Sequence, residues 1–432
     1  MTPADDMTQD DSHRLADSPS TTSLSPTDRY GRPLDGVRIL AVEQMQALPY
    51  GTQLLSRLGA DVVKVEHPKF GESGRSSQPF MTDPQGRQVG ATFLRNNLSK
   101  RSIGIDIKHP QGRQLLLDLA PRFDVFAENF KAGTLAKLGL DYESVAAVHP
   151  QVIYLSVSGF GNTGESPYQS WPAYAGVAES MSGLYSWSTP QNTPPTISPL
   201  GALGDTGSSI FAVIGVLAAL RQRDTQGIGQ HVDISMLDCM VALADVQLQY
   251  ESMGVVRDPE SRGALILTSF KASDGYFMIQ VGREHQWERL CQIIGKTEWL
   301  TDPRFATRAG WGEHQEDVVR PAVETWAADK TKAEVSALFA NAGVAAGPCN
   351  WPGEVMQDPH VTAHNMVIEM ERTDDVAAPV VTPGNPVKLS RMDEQPDTRV
   401  PWLGEHTDAI LKQELSLDDA TLTTLRNEGI IG

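Results

Sequence analysis

Cysteine is scarce in this chain, and its cationic side chains are outnumbered. Three cysteines, Cys239, Cys291 and Cys349, stand among 432 residues. Scattered and odd in number, they show neither a disulfide framework nor a metal-binding spacing, and they suit a reducing, cytoplasmic compartment. Lys and Arg total 36 against 54 Asp and Glu, a net charge of −18. This speaks against nonspecific nucleic-acid binding and against adhesion to anionic membranes, both of which want a basic face. No apolar run reaches the ~18 residues a membrane helix needs. The longest, "IFAVIGVLAAL", ends at Arg221 and reads as a buried helix. H-E-x-x-H, clustered Cys and His, G-x-S-x-G and G-x-x-x-x-G-K-[ST] are all missing, so no metal, hydrolase elbow or P-loop is expected.

What is present is a soluble α/β composition, 40% hydrophobic, in a chain too long for one ordinary core. Residues 1–30 are rich in Ser, Thr, Asp and Pro. With no basic segment leading an apolar one, they read as a disordered tail rather than a signal peptide. "VRILAVE", "YGTQLLSRLG" and "ADVVKVEHP" then read as strand, helix and strand within about thirty residues, a βαβ unit. "KRSIGIDIK", "DVFAENF" and "PQVIYLSVSGFG" continue the strand pattern, and a doubly wound, Rossmann-like parallel sheet is expected. "ILTSFKASDGYFMIQV" reads as an antiparallel pair in a smaller α+β domain. The expected division is a large domain from 31–225 and 355–432, with linker helices and the small domain in 226–354. Ser416 and Asp419 have the spacing of a capping box at the last helix.

Two short stretches invite chemistry. "GFGNTG" (Gly159, Gly161, Gly164) fits G-x-G-x-x-G after a good strand, but "ESPYQSWPAY" follows it where a dinucleotide site needs a helix start. No NAD is expected, and the loop reads as a flap at the carboxyl edge of the sheet. "GALGDTGSS" places Asp205 at the start of the long apolar helix. In isolation the stronger reading is a helix cap. Gly201, Ala202, Gly204 and Gly207, however, leave room for a ligand at the backbone. A carboxylate in that position is also competent as a nucleophile toward an activated acyl group.

The sequence from about Pro33 to the C-terminus resembles the class III CoA-transferases, the family of formyl-CoA transferase and carnitine CoA-transferase. The resemblance lies in "PLDGVRIL", "LGADVVKVEHPKFGESGR", "NNLSKRSIGIDIK", "ENFKAGTLAKLGLDYE", "VIYLSVSGFGNTG", "LGDTGSS", "GQHVDISMLD" and "LGEHTDAIL". It implies that Asp205 is the nucleophile, passing through an aspartyl anhydride and an aspartyl-CoA thioester, and that Gln46 donates a hydrogen bond near it. It also implies coenzyme A contacts from Ala47, His67, Ile105, Lys108, Asn129, Phe130, Lys131 and Lys137, acyl-CoA and carboxylic acids as substrates, and an interlocked homodimer. Arg75, Lys100, Arg101 and Lys131 are the cations expected to serve an anionic ligand. Ala175 stands where formyl-CoA transferase has an acidic residue, which implies a less polar acceptor pocket. Tyr174–Ala175 stands in place of the His-Asp pair of the related racemases and counts against proton-transfer isomerisation. An acyl-CoA racemase and a non-catalytic CoA-binding protein remain the alternatives.

Overall fold

Residues 38–42 (RILAV) and 61–66 (DVVKVE) bury on both faces, as strands inside a parallel sheet must, the second with Lys64 and Glu66 buried as well. They are β1 (Arg38–Val42) and β2 (Asp61–Glu66). Four more strands join them: β3 (Arg101–Gly104), β4 (Val125–Glu128), β5 (Ile153–Ser158) and β6 (Gln230–Ser235). All neighbours are parallel, in the order β3-β2-β1-β4-β5-β6. This is the strand order of the Rossmann fold. β6 belongs to this sheet, so the expected boundary at residue 226 cuts one strand from the layer it completes. The computed structural model describes residues 31–187, 189–190, 192–197, 201–255 and 263–432, and the expected tail, 1–30, lies outside them.

Alternation along each strand divides the core. Ile39 and Ala41 face one apolar cluster, and Leu40 and Val42 face another across the sheet. Each fully buried aliphatic side chain contributes about 1.5–3 kcal/mol. The first face is covered by α1 (Pro49–Arg57) and α5 (Leu203–Gln226) and the second by α2 (Pro110–Leu119). Two short helices, α3 (Tyr142–Val148) and α4 (Ala175–Met181), lie between, and α6 (Met236–Leu243) follows β6. α1 opens on Pro49, whose fixed φ suits a first helical turn, and Gly59 follows at φ +120°. At 24 residues α5 is long and apolar enough to cross a membrane by length and composition, contrary to the expectation from uninterrupted runs. It lies against the sheet, with Ala212, Val216, Ala219 and Leu220 in the core and Ile210 and Ile214 exposed.

The smaller unit is a three-stranded antiparallel sheet: β7 (Ile266–Ala272), β8 (Gly275–Val281) and β9 (Ala345–Pro348), with β8 central. Its own apolar core includes Trp287, Phe305 and Trp311, with ring centroids 5.0–5.1 Å from Trp287. At the C-terminal end, Asp418 rather than Ser416 caps the helix Asp419–Asn427, accepting from the Thr421 amide at 2.8 Å. Ser416 closes the preceding helix at φ +57°.

Candidate active site

In an open parallel sheet, ligands bind where the strand order reverses, beyond the carboxyl ends. Here that point lies between β1 and β4. The loop leaving β1 is tied down from three sides. The Asn129 side-chain amide donates to the Gln44 carbonyl at 2.9 Å, and the Gln44 N–H donates to Asn129 Oδ1 at 2.9 Å. Met45 adopts φ +59°, rare for a non-glycine, and its N–H donates to Glu72 Oε2 at 3.0 Å. Ser209 Oγ, on α5, donates to the Ala47 carbonyl at 2.6 Å.

Asp205 is the third residue of α5. Ala202 holds the cap position and makes no side-chain cap, so Asp205 is not the cap that the sequence suggested. The Gly204 N–H at this helix start donates to Glu179 Oε1 at 2.8 Å, and the Tyr185 hydroxyl donates to the other Glu179 oxygen. Among the described residues, no hydrogen bond or cation meets the Asp205 carboxylate. Burial, with Glu179 adding its charge, pushes Asp205 up from an ordinary 3.8 to about 6. Of the neighbouring glycines, Gly204 and Gly207 serve packing, whereas Gly201 stands at φ +69° with open space around it. A Cβ on Gly204 would lie 2.7 Å from Ala175 Cα, and one on Gly207 would lie 2.9 Å from Met240 and Leu243 on α6. Ala175 is therefore a packing residue at the start of α4, while its neighbour Tyr174 faces the cavity.

Asp205 opens instead onto a cavity of about 260 Å³. Ala47 lines it from β1, Asn129, Phe130 and Lys131 from β4, and Gly159 and Phe160 from β5. Trp171, Tyr174 and Met236 complete a largely apolar wall. The fold thus gathers Asp205 with Ala47, Asn129, Phe130 and Lys131. Gln46 sits half-buried in the same loop, outside the lining, and its carbonyl accepts from the Tyr50 N–H at 3.1 Å. His67 and Lys108 lie beyond β2 and β3 on the same carboxyl edge, outside this cavity. His67 Nδ1 accepts from the Lys69 N–H at 3.1 Å, and its ring stacks on Phe70. Lys137 is exposed on the turn Ala136–Leu138. Ile105 is 1% exposed and packs in the core, so its side chain is not available to a ligand.

Three of the four expected anion-binding cations are already committed. Arg75 forks onto Glu66 with two bonds of 2.6 Å, Lys100 donates to Glu43 at 2.7 Å, and Arg101 pairs with Asp61. Lys131 remains exposed at the cavity. The glycine loop is committed too: the Asn162 and Thr163 amides donate to Asp233 Oδ2 at 2.7 and 2.6 Å, where a dinucleotide fingerprint would offer amides to phosphate. No helix begins within "GFGNTG".

Sequence reading missed three carboxylates. Asp233 organises the glycine loop. Glu128, ending β4, is 5% exposed, accepts from the Phe130 N–H at 2.7 Å and is pushed up by burial to about 8. It borders a second cavity of about 320 Å³, shared at Lys131, Ala132 and Gln169 with the first. Glu179 is 1% exposed. Its signal was present: a single acid within the small and apolar run "AGVAESMSG".

A Rossmann-ordered sheet with a cation-free carboxylate beside its switch-point crevice defines an α/β protein of the ligand-binding, doubly wound class. The chain belongs to CoA-transferase family III, whose family model matches residues 34–407. It is 33% identical to succinyl-CoA–D-citramalate CoA-transferase of Chloroflexus aurantiacus, over 94% of this chain and all of that one. It is 31% identical to mouse (Mus musculus) succinyl-CoA:glutarate CoA-transferase, over 93% of this chain and 90% of the relative. The crystal structure of a CaiB/BaiF family protein from Brucella suis superposes with a TM-score of 0.78 at 33% identity, covering 89% of this chain and all of that one. The protein is accordingly an enzyme that transfers CoA between an acyl-CoA and a carboxylic acid.

Proposed function

We propose that Asp205 carries the CoA transfer as a covalent nucleophile. The observation behind this reading is its carboxylate, free of hydrogen bonds among the described residues and open to the switch-point cavity. An Asp205 oxygen attacks the thioester carbonyl of the donor. The C–S bond breaks, CoA leaves as thiolate, and a mixed anhydride remains. The thiolate attacks the Asp205 carbonyl, the C–O bond breaks, and the donor acid departs as carboxylate. The acceptor carboxylate attacks the resulting aspartyl thioester, releasing thiolate and forming a second anhydride. Thiolate attack at the acceptor carbonyl then yields the new acyl-CoA and restores Asp205. Each step exchanges one activated acyl bond for another, so the sequence balances without an external energy source.

The relatives named above act on succinyl-CoA, which makes succinyl-CoA the first donor to test here. Phe130, Phe160, Trp171 and Met236 favour an acceptor with an apolar body. Lys131 supplies the cation for CoA phosphate or for a second carboxylate. A homodimer fits the exposed apolar positions Ile210, Ile214 and Leu217 on α5, and light scattering of the purified protein measures it. The decisive experiment incubates the enzyme with an acyl-CoA panel, traps with hydroxylamine or borohydride, and maps peptides by mass spectrometry. Modification at Asp205 is the expected result. Full CoA exchange by Asp205→Ala would overturn the reading.

A further inference from the structure

We propose that Glu179 is a positioning residue for Asp205: held on the Gly204 amide, its carboxylate occupies the start of α5 and keeps the Asp205 carboxylate turned out and reactive. This rests on the reading of Asp205 as nucleophile. The first amides of a helix lack intrahelical partners and attract a nearby carboxylate. Ala202 offers no cap, and an aspartate in the first turn would otherwise fold back onto those amides. Glu179 takes the Gly204 N–H at 2.8 Å, and Tyr185 fixes its second oxygen. Gly204 makes this contact possible, because its missing Cβ lets Ala175 at the start of α4 pack against the helix. α4 thereby brings its own Glu179 to the amide.

The arrangement sets the buried Glu179 carboxylate near the half-buried Asp205 carboxylate, with no cation against either among the described residues. Repulsion raises the free energy of the Asp205 anion, and acylation removes that charge, so the repulsion is relieved on the way to the anhydride. At about 6, Asp205 is more basic than an ordinary aspartate yet mostly ionised at pH 7. The other ionisable groups near α5 do not replace Glu179. Tyr185 is kept protonated by burial and by Glu179, and Cys239 on α6 is pushed up by burial. Asp238 lies at the start of α6, Tyr174 and Lys131 border the cavity, and Glu43 below the β1 loop is matched by Lys100.

The test reads Asp205 directly. Full-length protein carrying ¹³C at its aspartate carboxyls is titrated by NMR, with the Asp205 signal assigned by its loss in Asp205→Asn. Glu179→Gln keeps an acceptor for Gly204 and removes the charge. The Asp205 midpoint is expected to fall by about one pH unit, remaining above the ordinary range because burial persists. With a Brønsted slope near 0.5, as for thiolate nucleophiles, trapped acylation slows about threefold at pH 7. Tyr185→Phe, which strips Glu179 of a donor, also moves the midpoint and serves if the first variant does not fold. A midpoint unmoved by either variant overturns the proposal, as does a moved midpoint with unchanged acylation. Undiminished exchange by Asp205→Asn sinks the nucleophile reading instead, and leaves the titration result standing.

Discussion

Glu43 and Glu66, at the carboxyl ends of β1 and β2, have cations against them, whereas Glu128, Glu179 and Asp205 meet none among the described residues. On the paired side, burial pushes Glu43 up, but Lys100 and Lys64 outweigh it and hold the carboxyl below its usual range. Arg75 and Lys64 do the same for Glu66. Lys100 is itself brought down by burial to about 8, with Glu43 opposing, and its ammonium reaches Glu43, Pro49 O, Thr52 and Asn97 within 2.9 Å. Three acids (Glu43, Glu66, Glu72) and three bases (Lys64, Lys100, Arg75) thus form a charge-balanced scaffold under the loop that carries Met45 and Ala47. Across the switch point the acids are left without cations, and there Asp205 rises to about 6 and Glu128 to about 8. The lesson is that ion pairing cancels the cost of burying a carboxylate on one side of the switch point and leaves that cost standing on the other.

The largest expected effect strikes the unpaired side. Asp205→Asn should lower steady-state CoA exchange by roughly 10³-fold or more while leaving the melting temperature nearly unchanged. Next comes the paired side, where Lys100→Met strands Glu43 without its closest cation. Urea unfolding should show a loss of about 3–5 kcal/mol, with much of it recovered when Glu43→Gln is added. A loss under 1 kcal/mol would erase the distinction drawn between the two sides.

A smaller effect separates the sides by pH. Glu128 is raised when folded, so the native state binds the extra proton between about 4.5 and about 8. Its contribution to stability is complete below that window and is lost as pH rises through it. Glu43 and Glu66, held low, contribute above the usual carboxylate range and lose that contribution as pH falls. Glu128→Gln should therefore gain stability relative to the parent between pH 5 and pH 8, by at least about 1 kcal/mol, in unfolding curves at the two pH values. The smallest effect belongs to the partly exposed pair Arg101–Asp61, where Arg101→Ala should cost less than about 1 kcal/mol in the same assay.

Much of the fold was legible because buried parallel strands write continuous apolar runs, as in "VRILAV" and "QVIYLSVS", and α1 carries its Pro and Gly boundaries. β6 escaped the domain boundary because it is separated from β5 by the whole of α5. Within the site, Asp205 was found through its motif, but its surroundings were misread. Gly204 and Gly207 looked like ligand clearance and are instead places where Ala175 and α6 approach, while Gly201 is open. Asn129 matched a CoA-contacting stretch, yet both polar atoms of its amide clamp Gln44. Arg75, Lys100 and Arg101 looked available because nothing in the sequence shows which acid faces which base.

By itself the sequence determined the residue types, the alternation that makes a doubly wound sheet, and the motif order that carries the family. Those properties are local, or repeat along one dimension, and they follow from periodicity and propensity. Only the tertiary structure decided which charges are cancelled. Lys100 meets Glu43 across 57 residues, and Glu179 meets the Gly204 amide across 25. Whether a carboxylate is scaffold or reagent depends on burial and on the nearest opposite charge, and both are set by contacts between distant segments.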